Sequence, residues 1–291
     1  AEGVTLVPIN DIATLERDWP HFAVIGAGQT GIDAVLHLLA SGISPDRITW
    51  IISNPTWMMN RDGIQPDTFS TDYPRQVRCI AEGRDITDIY TRLEAGGHVF
   101  RLDPNIWPTR NRCATVNTEE LHRIRQVSHI VRKGRVRRIT PDQIILDEGE
   151  EPVTPGTLFV DCSADGLTRR PARPVFEGKR ITIQPVVLCQ PTLSAAVIAM
   201  TESRVKKESK KNHLCQPIPH PTMPEDYLYG ITATVSAMDR WSPRFVGWFF
   251  NSRLSLGHHQ GFWANIAFGF RIERWRRRAV ATAKRLFWPS Q

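Results

Sequence analysis

Three glycines stand in the stretch Gly26-Ala27-Gly28-Gln29-Thr30-Gly31, a spacing suited to holding a phosphate with backbone rather than side chains. Gly26 permits a tight turn, Gly28 lets the backbone approach a pyrophosphate, and Gly31 lets a following helix pack closely on the preceding strand. The amides of the first helical turn have no partner inside the helix, so they face the anion together with the positive end of the helix dipole. The plain counterpart is a turn whose glycines serve packing alone.

The flanking elements favour the ligand. An apolar run, Phe22 to Gly26, leads straight into the glycines, and residues 29–40 have the length and apolar spacing of a helix that ends at Ser41-Gly42. "ITWIIS" at 48–53 is a second strand. Strand, glycine turn, helix and strand within about thirty residues make a right-handed βαβ unit that binds a dinucleotide. At the end of the second strand an acid would hold the ribose 2′-hydroxyl of NAD and repel the 2′-phosphate of NADP. The only acid nearby, Asp46, precedes the strand, whereas Ser53 and Arg61 follow it. The expected cofactor is therefore NADP(H), with Ser53 and Arg61 as candidate phosphate ligands. Asp165 and Gly166, at the end of the later apolar strand "TLFVDCSADG", are further candidates, because ligands bind at the carboxyl ends of parallel strands.

Other chemistry finds less support. Cysteines 79, 113, 162, 189 and 215 are scattered without a CxxC pair, which argues against a disulfide framework or a thioredoxin-like centre and for a cytoplasmic protein. Cys162 lies inside an apolar strand and reads as an inert buried thiol. His213, Cys215 and His220 in "HLCQPIPH" lack both a fourth ligand and zinc-like spacing, so no metal is assigned. There is no GxSxG, GxxxxGK[ST] or HExxH motif, and hydrolase, NTPase and zincin readings fall away. Histidines 21, 37, 98, 122, 129, 258 and 259 have no sequence partner that makes one a general base, so the catalytic residues stay unknown.

The elements that must position the glycine turn give an α/β chain. A Rossmann-type parallel sheet is followed by an antiparallel β-meander, read as "SHIVRK", "RVRRIT" and "QIILDE", and by a mostly helical C-terminal region. We expect residues 1–190 to form the NAD(P)-binding domain and 191–291 the helical region. The longest apolar runs, such as 193–200, fall far short of the roughly 18 residues of a membrane span, so a soluble protein is expected. The net charge of +7 suits anionic partners. The basic cluster at 123–138 alternates with apolar residues, however, and reads as a solvated strand face rather than a nucleic-acid patch. In the last helix Phe268, Ile272, Trp275, Ala279, Ala283 and Leu286 form one apolar stripe, to pack on its own domain or a subunit. The alternative for 262–291 is peripheral contact with an anionic membrane.

Taken in order, "GQTGID", "ITW", "NRDGIQP", "RCATV", "GRVRRI" and "VDCSADGL" resemble a bacterial set of FAD/NAD(P)-binding oxidoreductase-like proteins. These are similar to the pyridine-nucleotide half of the two-dinucleotide-fold flavoproteins, a group that includes disulfide reductases and flavin monooxygenases. The similarity covers roughly residues 3–220, and the final seventy residues match nothing in that group. The resemblance implies a preceding FAD-binding half with its own glycine fingerprint. This chain carries one fingerprint and begins strand-like without Met, so we expect it to be part of a longer protein or to bind a single dinucleotide. It further implies that "ITIQPVVLCQ" is a late strand of the FAD side and that the helix from Pro191 points Thr192 and Ser194 at a flavin. Two functions follow. One is the NAD(P)H-binding portion of a flavin-dependent oxidoreductase, passing hydride from NADPH to FAD in an adjoining half or subunit. The other is a catalytically inactive dinucleotide-binding module whose basic helical tail meets a protein or membrane partner.

Overall fold

Phe22 to Ile25 and Leu158 to Val160 are continuous apolar runs and Ile48 to Ile51 is interrupted by Thr49 alone, and such runs are at home only in a parallel sheet covered on both faces. The computed structural model, which describes residues 1–15, 18–165, 170–258 and 261–288, places them in one. Along the chain run β1 (Thr5–Pro8), β2 (His21–Ile25), α1 (Gln29–Ala40), β3 (Ile48–Ile51), β4 (Thr56–Asn60), α2 (Phe69–Glu82), α3 (Ile86–Ala95), β5 (Val99–Phe100), β6 (Arg110–Val116) and α4 (Thr118–Ile124). Then come β7 (Ile130–Val131), β8 (Val136–Ile139), β9 (Gln143–Leu146), β10 (Gly149–Pro152), β11 (Thr157–Asp161), β12 (Phe176–Glu177) and β13 (Arg180–Ile181). The helices α5 (Pro191–Arg204), α6 (Glu208–Leu214), α7 (Pro224–Arg240), α8 (Pro243–Asn251) and α9 (Phe262–Leu286) complete the expected α/β chain with its helical C-terminal region.

The chain divides into two units, Ala1–Met58 with Arg101–Arg110 and Ala114–Thr168, and Met59–Phe100 with Asn111–Cys113 and Arg169–Gln291. In the first, a parallel sheet has the order β1-β11-β2-β3-β7. Val24 sits beside Trp50 on one side and Val160 on the other, and all three are buried. The chain leaves β2 toward β3 and returns on its other side as β11, so strand order reverses beside β2, where a crevice opens at the carboxyl ends. On one face lies α1, packed against α4. Asn117 and Glu120 cap α4 reciprocally, as the Asn-x-x-Glu pattern requires.

Three sequence expectations need correction. Residues 128–133 are not the first meander strand: Ile130 and Val131 pair with Trp50 and Ile51 as the fifth strand of the parallel sheet. The meander is β8, β9 and β10, its last strand turning back through Asp147 and Glu148. Alternation alone cannot say which sheet a two-residue strand will join. The segment read as a loop after β3 contains β4, whose Trp57, Met58 and Met59 are buried, because neighbouring Asn and Pro masked a short core strand. Finally, "ITIQPVVLCQ" is strand only at Arg180–Ile181. Beyond it the amides of Val186 and Val187 donate to Ser194 Oγ and that of Leu188 to Thr234 Oγ1, side-chain acceptors that replace a ladder. Three basic residues of the 123–138 cluster are paired with acids, Lys133 with Glu151, Arg137 with Asp147 and Arg138 with Glu2.

In the second unit α9 lies along α2 and also meets α7. Ala279 and Ala283 are fully buried and small enough to bring the helices close, and Phe268 inserts between Phe69 and Phe250, at centroid distances of 5.8 and 5.3 Å. Phe268, Ile272, Ala279 and Ala283 of the apolar stripe are thus buried within their own unit. Among the described residues, no helix is long and apolar enough to cross a membrane. Replacing a buried Phe with Ala costs about 3–5 kcal/mol. Phe268→Ala is accordingly expected to lower the urea midpoint of the protein, and an unchanged midpoint would mean that α9 is not held by this seam.

Candidate functional site

The glycine turn sits at the carboxyl end of β2, at the crevice. The Gly26 amide donates to the carbonyl of Ile51 at 2.9 Å, continuing the β2–β3 ladder by one residue. Its own carbonyl accepts from Trp50 Nε1 at 2.7 Å. With φ at +125°, Gly26 occupies a region that side chains rarely enter, and a Cβ there would collide with the Cys162 carbonyl. A Cβ on Gly31 would strike the carbonyl of Gly26, so the third glycine lets the helix approach the strand. Gly28 differs from both. It caps α1 from an ordinary extended conformation, and a Cβ there would meet nothing within 4 Å.

Around this opening the other named residues take distinct parts. Ala27 is half-buried and lines a cleft with Ile32, Trp50, Ile52, Asp103 and Arg132. The side chain of Gln29 is committed: its Nε2 donates to Asp33 at 2.8 Å, and its Oε1 accepts from the Thr115 amide at 2.7 Å. What Gln29 offers an anion is its backbone, as do exposed Thr30 and buried Gly31. No acidic residue stands in the first turn of α1 to oppose one. Ser53 is exposed just past β3 and accepts from Asn54 Nδ2 at 3.3 Å. Asp165 is exposed in the segment after β11, and Gly166 lies outside the described residues. Arg61 belongs to the second unit, where it opens a short turn, Arg61–Ile64.

Cys162 behaves as expected of an inert thiol. It is buried, its amide donates to the Ile25 carbonyl at 2.9 Å, and burial, aided by Asp161 and Asp33, pushes its pKa up to about 12. The histidines that had no sequence partner do acquire partners. His21 meets Thr49 Oγ1 at 2.8 Å, Thr49 meets His129 Nδ1 at 3.0 Å, and His129 Nε2 meets Glu151 at 2.9 Å. This row sits at the amino ends of β2 and β3, the wrong edge for a ligand, and burial with His129 and Arg47 nearby holds the pKa of His21 down. In the second unit His98 is buried against Asp72 at 2.9 Å.

Sequence reasoning missed two features. The first is Arg132, directly after β7, whose Nη2 reaches Asp103 at 3.4 Å while its buried Nε has no hydrogen-bond partner. Its signal was a basic residue following an apolar pair, hidden once that pair was placed in the meander. The second is in the second unit: Cys113 and Cys189, 76 residues apart, are paired, with His220 beside them. The scattered cysteines therefore do yield one disulfide, through a spacing that carries no local signal. The "HLCQPIPH" set comes apart, because Cys215 is buried and its thiol contacts Thr201 Oγ1 at 3.2 Å.

No family model matches the chain. Uncharacterized proteins of Mycobacterium bovis and of two strains of Mycobacterium tuberculosis are each 39% identical to it over 264 residues, 88% of this chain and 49% of theirs. The chain thus spans about half the length of the curated relatives it matches.

The glycines separate experimentally. Gly28→Ala, in open space with negative φ, should change stability by no more than about 1 kcal/mol. Gly31→Ala forces the helix off the strand and should cost about 1–3 kcal/mol. Equal denaturation midpoints for the two variants would show that the close approach at Gly31 is not needed.

Proposed function

We propose that the first unit binds NADP(H) and that the chain is the nicotinamide-nucleotide portion of a flavin-dependent oxidoreductase. The carrying observation is the open face of Gly28 at the start of α1, beside the point where the strand order reverses. There the amides of Gln29, Thr30 and Gly31 receive the pyrophosphate, and the missing Cβ of Gly28 leaves the room it needs. Ala27 and Ile52 form an apolar wall for the adenosine, and the backbone of Cys162 and Ser163 passes beside Gly26. Arg132, which lines the cleft beside its ion-pair partner Asp103, and exposed Ser53, just past β3, are the side chains offered to a 2′-phosphate, and no acid ends β3 to exclude it. When bound, the nicotinamide supplies a hydride, and the protein's part is to orient it and to keep water away. The acceptor, FAD in an adjoining half or subunit, rests on the sequence resemblance alone, as does the reading of the whole protein as an oxidoreductase.

Calorimetric titration with NADPH and NADH tests the binding. NADPH should bind more tightly than NADH, and Gly28→Trp should abolish binding while the circular dichroism spectrum stays unchanged. Arg132→Ala removes a charge-assisted hydrogen bond worth about 1.5–3 kcal/mol, at least about tenfold in NADPH affinity, with little effect on NADH. Unchanged affinity in folded Gly28→Trp would make the glycines purely structural. A flavin spectrum in the purified full-length mycobacterial relative would support the acceptor, and its absence from a folded preparation would count against it.

A further inference from the structure

Two residues other than glycine have positive φ among the described residues, Cys113 at 58° and Cys189 at 50°. The left-handed region is unfavourable for a side-chain-bearing residue, and such strain persists only where the surroundings over-determine it. These are the two residues whose sulfurs meet, with Cα atoms 6.4 Å apart. His220 joins them from a third segment, and one ligand atom from each of the three lies within 4.8 Å of the others.

Each of the three turns is held by buried polar groups. Before Cys113, the fully buried Asn111 donates through its backbone amide to the Thr222 carbonyl at 3.0 Å and through Nδ2 to Tyr90 Oη at 3.0 Å. Tyr90 Oη donates in turn to the Pro224 carbonyl at 2.9 Å. These bonds tie the cysteine strand to the segment that follows His220. Around Cys189, Ser194 Oγ accepts from the amides of Val186 and Val187 and donates to the Gln190 carbonyl at 2.7 Å. His220 Nδ1 lies 3.1 Å from the Pro221 carbonyl.

We propose that Cys113, Cys189 and His220 form a thiol-gated site for a soft divalent cation of the zinc class. In the disulfide form, seen here, the two sulfurs are bonded to each other. A small dithiol attacks one sulfur, its second thiol resolves the mixed disulfide, and the reductant departs as its own cyclic disulfide, leaving two protein thiols. Cation binding then releases both thiol protons, and the two thiolates neutralise the charge of the metal in a half-buried setting. Two thiolates and one imidazole are a zinc-like donor set with a fourth position left open. The proposal is independent of any dinucleotide.

The test is zinc uptake by the whole chain, reduced with dithiothreitol and desalted anaerobically, in competition with a chromophoric chelator. One zinc per chain should bind with release of two protons, and cobalt in its place should give thiolate charge-transfer absorption. The oxidised protein should take up none. Cys113→Ser and Cys189→Ser should abolish binding, whereas Cys79→Ser should behave as the parent. His220→Ala, at an exposed position, should keep the thermal midpoint and weaken zinc by about 100-fold. Failure of the reduced parent to bind zinc, equal binding by the oxidised form, or undiminished affinity in folded His220→Ala would each overturn the proposal. Should a serine variant misfold, the oxidised-against-reduced comparison and His220→Ala still decide.

Discussion

The first unit depends on one close approach, the meeting of β2, β3 and α1 at the carbonyl of Gly26. That oxygen accepts from the indole of Trp50, and the backbone of Gly31 passes where a side chain could not. A buried indole N–H must find an acceptor, and a carbonyl at the end of a strand must find a donor, so each satisfies the other. With the turn fixed in this way, α1 starts directly at the crevice, with its first amides facing outward at Gly28. The geometry that packs the unit is therefore the geometry that leaves open space at Gly28.

The second unit is organised by polar groups buried among helices. Tyr73, Tyr90 and Tyr227 are all held well above the usual phenol range, chiefly by burial, so their hydroxyls remain neutral donors. Tyr227 Oη donates to Gln76, and Gln76 Nε2 donates to Asp72, which also holds His98. Such a network specifies one arrangement because each member left unpaired in a dry interior costs about 1–3 kcal/mol. A separate set of bonds, from Asn111 to Thr222 and Tyr90 and from the amides of Val186 and Val187 to Ser194 Oγ, holds the turns that carry Cys113 and Cys189.

Much of this was legible without coordinates wherever the signal was local. The glycine spacing, the apolar runs of β2, β3 and β11 and the apolar period of α1 and α9 each reflect interactions among residues close in sequence, and each element formed where expected. The stripe of α9 was readable too, since a 3.6-residue period states that one face is buried.

Tertiary structure alone decided which distant residues share a place. It put Ile130 and Val131 beside β3 rather than in the meander, and so brought Arg132 to the crevice. It assigned Arg61 to the other unit and committed Gln29 to Thr115. It joined Cys113 to Cys189 across 76 residues. A sequence records the local periodicity and turn chemistry that select elements, because those interactions span a few residues. The pairing of short strands and the meeting of side chains are set by packing over the whole chain, and no window of residues contains it.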